Sequence, residues 1–171
     1  MDVTKGRATL VCSDGGSGDP ATLLLHAGVT DRRSWQHLIP LLPGRWVSFD
    51  ARGFGETTYQ PEDGWSPVDD AVAVLDAHGI ERAVVVAASL GGRTALDLAL
   101  AHPDRVEAVA LIGPAVSGAP RPEVEAEIRP LVEALVRAEE AGDVDELNRC
   151  EAHLFLDGPL QPEEIGRASC R

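Results

Sequence analysis

The sequence predicts an α/β fold: a mostly parallel sheet flanked by helices, with the start of a helical lid. Three observations carry this. Short apolar runs at residues 7–11, 21–26, 45–49, 82–87 and 106–112 are each bounded by Gly, Pro or Asp, and their length and β-branched content suit strands buried on both faces. Helical patterns lie between the later runs, and such alternation implies βαβ crossovers. After Ile112 the strands stop and two amphipathic patterns follow one another directly.

Taken in order, residues 31–42 carry Trp35, Leu38, Ile39 and Leu42 at helical spacing before Pro43-Gly44, which predicts a first helix. Ser66 is a good N-cap for the next, with Pro67 at the first helical position, Val68, Ala71, Val72 and Leu75 as the apolar stripe, and Gly79 as the stop. A third helix follows Ser89, carries Ala95, Leu96, Leu98, Ala99 and Leu100, and closes at His102-Pro103. Beyond Gly113-Pro114, Pro130 marks the start of a fourth, because proline is tolerated only in a helix's first turn, and residues 124–128 read as a preceding turn. Gly142 ends that helix, and Asp143 with Glu146 resembles a capping box for the fifth.

The organisation expected is one truncated α/β domain over residues 1–163, with lid helices at about 120–156. Residues 164–171 resemble translated adapter read-through and are expected to be a non-native tail. The sheet would then end on an unpaired strand. Twenty-eight acidic residues against 15 basic ones give a net charge of −13, and the basic residues are scattered. That balance argues against nucleic acid or an anionic membrane as partner. No apolar run approaches the roughly 18 to 20 residues of a membrane span, and residues 1–10 have no apolar secretory core, so a cytoplasmic protein is expected. Cys12, Cys150 and Cys170 are odd in number and far apart, and neither a metal site nor a cofactor is expected. The partner expected is a small, apolar molecule, with the oligomeric state open.

The stretch that carries chemistry is Val84-Val85-Val86-Ala87-Ala88-Ser89-Leu90-Gly91-Gly92, a buried strand running into a helix through small residues. A nucleophile elbow belongs at such a junction: the serine sits in a strained turn with its hydroxyl above the sheet, and the residues two before and two after must be small. The free amides and positive end of the following helix favour an oxyanion there. The other reading of Ser89 is a simple helix cap.

These residues, with Leu23-Leu24-Leu25-His26-Ala27-Gly28 and Phe49-Asp50-Ala51-Arg52-Gly53-Phe54-Gly55 before them, resemble the α/β-hydrolase superfamily over nearly everything up to about Pro114. Two departures stand out, AxSxG for the usual GxSxG and Ala27 where the family has glycine. The resemblance implies that Ser89 is the nucleophile and that the amides of Gly28 and Leu90 form the oxyanion hole. It implies a turn-bracing role for His26, since the family's chain order runs Ser, then acid, then His. Asp50 and Arg52 suit a local ion pair or hydrogen bonds that hold their turn, and His78 and His102 suit helix C-termini.

After Ser89 the acids are Asp97, Asp104, Asp143, Asp145 and Asp157 and the bases His102 and His153. None follows the further strands on which the family carries its acid and histidine, so both are expected beyond this sequence, across on the order of 50 residues. The reaction implied is serine hydrolysis of a small ester, lactone or related acyl or carbon-carbon bond. A serine, not an aspartate, at the elbow argues against the epoxide-hydrolase and dehalogenase branches. Two alternatives keep the same fold, a non-catalytic ligand-binding protein and a cofactor-free oxygenase or perhydrolase. A Rossmann-type dehydrogenase is disfavoured because no GxGxxG follows a strand.

Overall fold

Residues 1–120 and 123–161 are described by a computed structural model, in which the chain divides into two units, Met1–Ala119 and Pro120–Arg171. In the first unit a five-stranded sheet holds β3 (Cys12–Gly15), β4 (Thr22–Leu25), β5 (Trp46–Phe49), β7 (Ala83–Ala88) and β8 (Val106–Ile112) in the order β3-β5-β4-β7-β8. All neighbours are parallel except β3 against β5. Continuous apolar runs make the central strands because neither face meets water: Leu23, Leu24, Val47 and Val85 are fully buried, each contributing about 1.5 to 3 kcal/mol of burial. A second, antiparallel sheet joins β1 (Val3–Lys5), β2 (Ala8–Leu10) and β6 (Thr58–Tyr59).

Four of the five expected strands lie in the large sheet. The run at 7–11 is the exception: it forms β2 of the small sheet, and only Ala8 and Leu10 point inward. The strands β1, β3 and β6 carried no apolar run to announce them. The helix expected at residues 31–42 is absent. Two 3-10 turns, Arg32–Trp35 and Ile39–Leu41, stand in its place, with Trp35 buried and Leu41 exposed. Pro40 explains the break, since it has no N–H for an α-helical ladder.

Helix α1 (Pro67–Ala77) is capped by the Ser66 hydroxyl, which accepts from the Asp69 amide at 3.0 Å, and Gly79 follows its end at φ 60°. Helix α2 (Leu90–Ala101) buries Ala95 and Leu98 and leaves Leu100 in water. At the sheet's edge, β8 exposes Leu111 and Ile112. The second unit contains α3 (Arg129–Ala141), with Pro130 in its first turn and Gly142 in left-handed conformation after it. In α4 (Val144–Ala152), the Asp143 carboxylate accepts from the Glu146 amide at 3.1 Å. A single π-turn, His153–Asp157, follows. The expected tail at 164–171 lies outside the described residues. Among the described residues no helix is long and apolar enough to cross a membrane.

Candidate active site

Register brings the motifs together. Leu25 of β4 pairs with Ala87 of β7, and Ala87 with Leu111 of β8, so in this parallel array the loops after β4 and β7 leave the same edge of the sheet side by side. Two residues, His26 and Ala27, link β4 to Gly28 and one, Ser89, links β7 to Leu90, and the two loops touch: a Cβ built on Gly28 would lie 3.4 Å from Leu90 Cδ2.

Ser89 sits at φ 47°, ψ −112°, the one non-glycine residue with positive φ among those described. Such a conformation costs of order 1 to 3 kcal/mol and persists only where its surroundings impose it. The imposing contacts are visible. The Ser89 amide donates to the Ile112 carbonyl at 3.1 Å, and its carbonyl accepts from Gly92 and Ala115, each at 2.9 Å. On the other side the Gly91 amide donates to the His26 carbonyl at 3.1 Å. A Cβ on Gly91 would fall 2.4 Å from the Leu25 carbonyl oxygen, so only glycine allows β4 and α2 to come this close. Ala87, the residue that departs from the usual glycine, is fully buried with its methyl in the core, and the elbow forms with it in place.

The cap reading of Ser89 finds no support, since its side chain makes no capping hydrogen bond to α2 and is exposed. Among the described residues the amides of Gly28 and Leu90 donate to no protein acceptor. The chemistry available at this point is therefore an exposed hydroxyl at the positive end of a helix, with two unclaimed N–H groups on adjoining loops.

His26 is buried, and both its ring nitrogens are committed. Nε2 accepts from the Ala51 amide at 3.0 Å, which requires the proton on Nδ1, and Nδ1 donates to the Ala27 carbonyl at 2.7 Å. The ring also meets Phe54 edge-on, with centroids 5.3 Å apart. It ties the loop after β4 to the loop after β5, the bracing position expected of it.

Asp50 and Arg52 do not pair with each other. The fully buried Asp50 carboxylate accepts from the amides of Arg32 and Glu56, each at 2.8 Å, and from the Arg32 guanidinium. A Cβ on Gly55, at φ 53°, would lie 2.1 Å from its oxygen, so Asp50 does hold its own turn. Arg52 instead reaches α1, where Asp70 accepts from Nε at 2.7 Å and from Nη2 at 2.8 Å. It also pairs with Glu62 and lies over the Trp65 ring at 4.7 Å. Arg52 holds the Glu62 carboxyl below the usual carboxylate range. Sequence reasoning missed Arg32, Asp70, Glu62 and Trp65 in these roles, and nothing in their spacing signalled them.

Beside the elbow lies a cavity of about 230 Å³ whose walls are mainly Leu25, Phe49, Phe54, Trp65, Val68 and Leu90. Arg93 and Asp97, one and two turns into α2, are part of its lining, while the Ser89 side chain is not. The remaining histidines of the first unit lie elsewhere. His78 and His102 are the C-caps of α1 and α2, and His37 is exposed beside Gln36. His153, in the second unit, meets the Gln161 carbonyl at 3.0 Å. Among the described residues no cluster of three or more His, Cys, Asp or Glu could hold a metal.

The chain is 38% identical over 97 residues to epoxide hydrolase B of Mycobacterium tuberculosis, a match covering 53% of this chain and 27% of that protein. It is 39% identical over 112 residues to 2-hydroxymuconate semialdehyde hydrolase of a Pseudomonas species, covering 60% of this chain and 38% of that one. Thus it spans between a quarter and two fifths of the length of these relatives. A serine hydrolase crystal structure from the polyaromatic-hydrocarbon-degrading Cycloclasticus zankles superposes on 99% of this chain and 62% of its own, with TM-score 0.73 and 24% identity. The family model described as alpha/beta hydrolase fold matches residues 20–137, and with the elbow, the bracing histidine and the strand order already described, the chain belongs to the α/β-hydrolase superfamily.

Proposed function

We propose that the protein is a serine hydrolase acting on a small organic acyl compound, an ester, a lactone or an activated carbon-carbon bond. Ser89 Oγ attacks the carbonyl carbon, and the amides of Gly28 and Leu90 hold the oxyanion as it forms. A histidine, oriented by an acid, takes the hydroxyl proton and returns it to the leaving group, and water then releases the acyl group. Both partners are assigned to parts of the protein outside residues 1–163, and α3 and α4 to the first part of a lid. The observation that carries this reading is the strained conformation of Ser89, held by backbone contacts on both sides with its hydroxyl left exposed.

A serine at this point also separates the protein from the chemistry named for the mycobacterial relative, because an epoxide-opening enzyme of this fold needs a carboxylate nucleophile to form an alkyl ester. The name of the Pseudomonas relative points instead to hydrolysis of a semialdehyde that carries a carboxylate. The test is fluorophosphonate labelling of the full-length protein. Labelling is expected at Ser89 and lost in Ser89→Ala, along with hydrolysis of p-nitrophenyl esters. Labelling that survives the substitution would overturn the assignment.

A further inference from the structure

We propose that Arg93 anchors a carboxylate on the substrate while the cavity beside it takes the substrate's hydrocarbon body. The protein then acts on anionic acyl compounds in preference to neutral ones of the same size. This rests on the serine-hydrolase reading for its chemistry, but the anchor itself is argued from charge and placement.

With 28 acidic residues against 15 basic ones, a cation in this chain finds a partner easily. Every other described arginine does, with its side chain in at least one hydrogen bond or ion pair. Arg93 makes none among the described residues, and it is exposed. Its place makes this more unusual. Arg93 is the fourth residue of α2, at the positive end of the helix, where a cation is disfavoured by about 0.3 to 1 kcal/mol. Asp97 lies four residues on, the spacing at which a helical ion pair forms, yet its Oδ2 accepts from the Ser117 hydroxyl at 2.7 Å instead. A guanidinium kept at an unfavourable site without a partner is complementary to an anion from outside.

The surroundings say which anion. Arg93 lines a cavity whose walls are chiefly apolar, and, Asp97 apart, the other charges there, Arg52 and Asp70, neutralise each other. A hydrated inorganic ion gains nothing from such walls, whereas a hydrocarbon with a terminal carboxylate fills them and meets the planar fork of the guanidinium in two parallel hydrogen bonds. Asp97, one turn further along α2, repels a carboxylate placed at its end, so the anion is held at the Arg93 end. Four residues of helix, about 6 Å of rise, separate Arg93 from Ser89, so the carboxylate and the scissile carbonyl belong to one small molecule.

The test has a binding arm and a kinetic arm. In a Ser89→Ala background, calorimetry compares 4-phenylbutyrate with 4-phenylbutanol. The acid is expected to bind about tenfold or more tightly, with the preference lost in Arg93→Gln and partly restored in Arg93→Lys, all three giving the same circular dichroism spectrum. Equal binding of acid and alcohol, or a preference that survives Arg93→Gln, overturns the anchor. In the Ser89-containing protein, the kcat/KM ratio for the p-nitrophenyl monoester of glutarate over p-nitrophenyl pentanoate is expected to fall about tenfold in Arg93→Gln, chiefly through KM. An unchanged ratio overturns the anchor. An Arg93-dependent preference for the acid in a protein that fluorophosphonate does not label upholds the anchor and defeats the hydrolase reading alone.

Discussion

Two loops leave the same edge of the sheet and treat their polar groups in opposite ways. In the loop after β5 the Asp50 carboxylate is fully buried and accepts from two amides and a guanidinium, while Arg52 is bidentate to Asp70. In the elbow after β7 the Ser89 hydroxyl caps nothing, the Leu90 amide has no protein acceptor among the described residues, and the backbone is strained. The richer motif, with an acid and a base two residues apart, is scaffolding. The plainer one, a serine among alanines and glycines, is where hydrogen-bonding capacity is left unspent among the described residues.

If that contrast is right, breaking the satisfied loop should damage the fold most. Asp50→Ala would leave the Arg32 and Glu56 amides without acceptors and the Arg32 guanidinium, only 13% exposed, with Glu56 as its one anionic partner beside the Ser13 hydroxyl. Removing one partner of a buried pair costs about 3 to 5 kcal/mol. Equilibrium urea unfolding should show a loss in that range, with Asp50→Asn milder because its carbonyl can still accept from one amide. A loss below about 1 kcal/mol for the alanine variant would mean that the two loops do not differ as described.

The two loops were also unequally legible. The elbow could be read because its requirements are local: a β-branched run, a serine, and small residues at fixed offsets, all within Val84 to Gly92. Gly91 is required by the carbonyls of Leu25 and His26 at the end of β4, and that constraint surfaces in the sequence as the motif itself. The Asp50 and Arg52 partners could not be read, because Arg32 and Asp70 are each 18 residues away and meet them only through the fold. The same division runs through the strands. β4 and β5, buried on both faces, and β7, buried on one and half-buried on the other, announce themselves as apolar runs. β3, Cys-Ser-Asp-Gly, is polar, and its place is set by its pairing with Trp46 to Phe49. The helix expected at residues 31–42 had the spacing but also had Pro40, and the backbone requirement outweighed the apolar pattern. Arg93 went unremarked since a lone arginine on a helix is ordinary until its missing partner is seen.

Strain in the elbow gives a second, smaller effect of opposite sign. Ser89→Gly admits φ 47° without a Cβ clash, relieving part of the 1 to 3 kcal/mol stored there, against the 0.5 to 1 kcal/mol that glycine's freedom in the unfolded chain costs. Ser89→Ala keeps the strain and removes only an exposed hydroxyl. The glycine variant is therefore expected to be about 1 kcal/mol more stable than the alanine variant by urea unfolding, while neither hydrolyses substrate. A glycine variant less stable than the alanine one would show that the conformation is not strained and that the contrast between the loops is only one of hydrogen bonding.

The smallest effect belongs at the margin of the loop after β4, where satisfaction is present but wet. Asp31 caps the 3-10 turn Arg32–Trp35 by accepting from the Arg33 amide at 2.8 Å and pairs with the Arg33 side chain. The Arg33 side-chain hydrogen bonds, with the amide's support, lower its pKa from 3.8 to about 2. A carboxylate whose folded pKa is depressed adds stability above its unfolded pKa and loses it as pH falls through the folded one. The Arg33 side chain is 70% exposed, so screening keeps the gain small, a few tenths of a kcal/mol at neutral pH. Asp31→Asn retains a capping oxygen and discards the charge, so the gap between wild type and variant in urea midpoint should be constant from about pH 7 to pH 5 and shrink between about pH 4 and pH 2. An asparagine variant more stable than wild type at pH 7, with that advantage closing on acidification, would mean that the charge opposes the turn, and that Arg33 holds Asp31 in place without stabilising it.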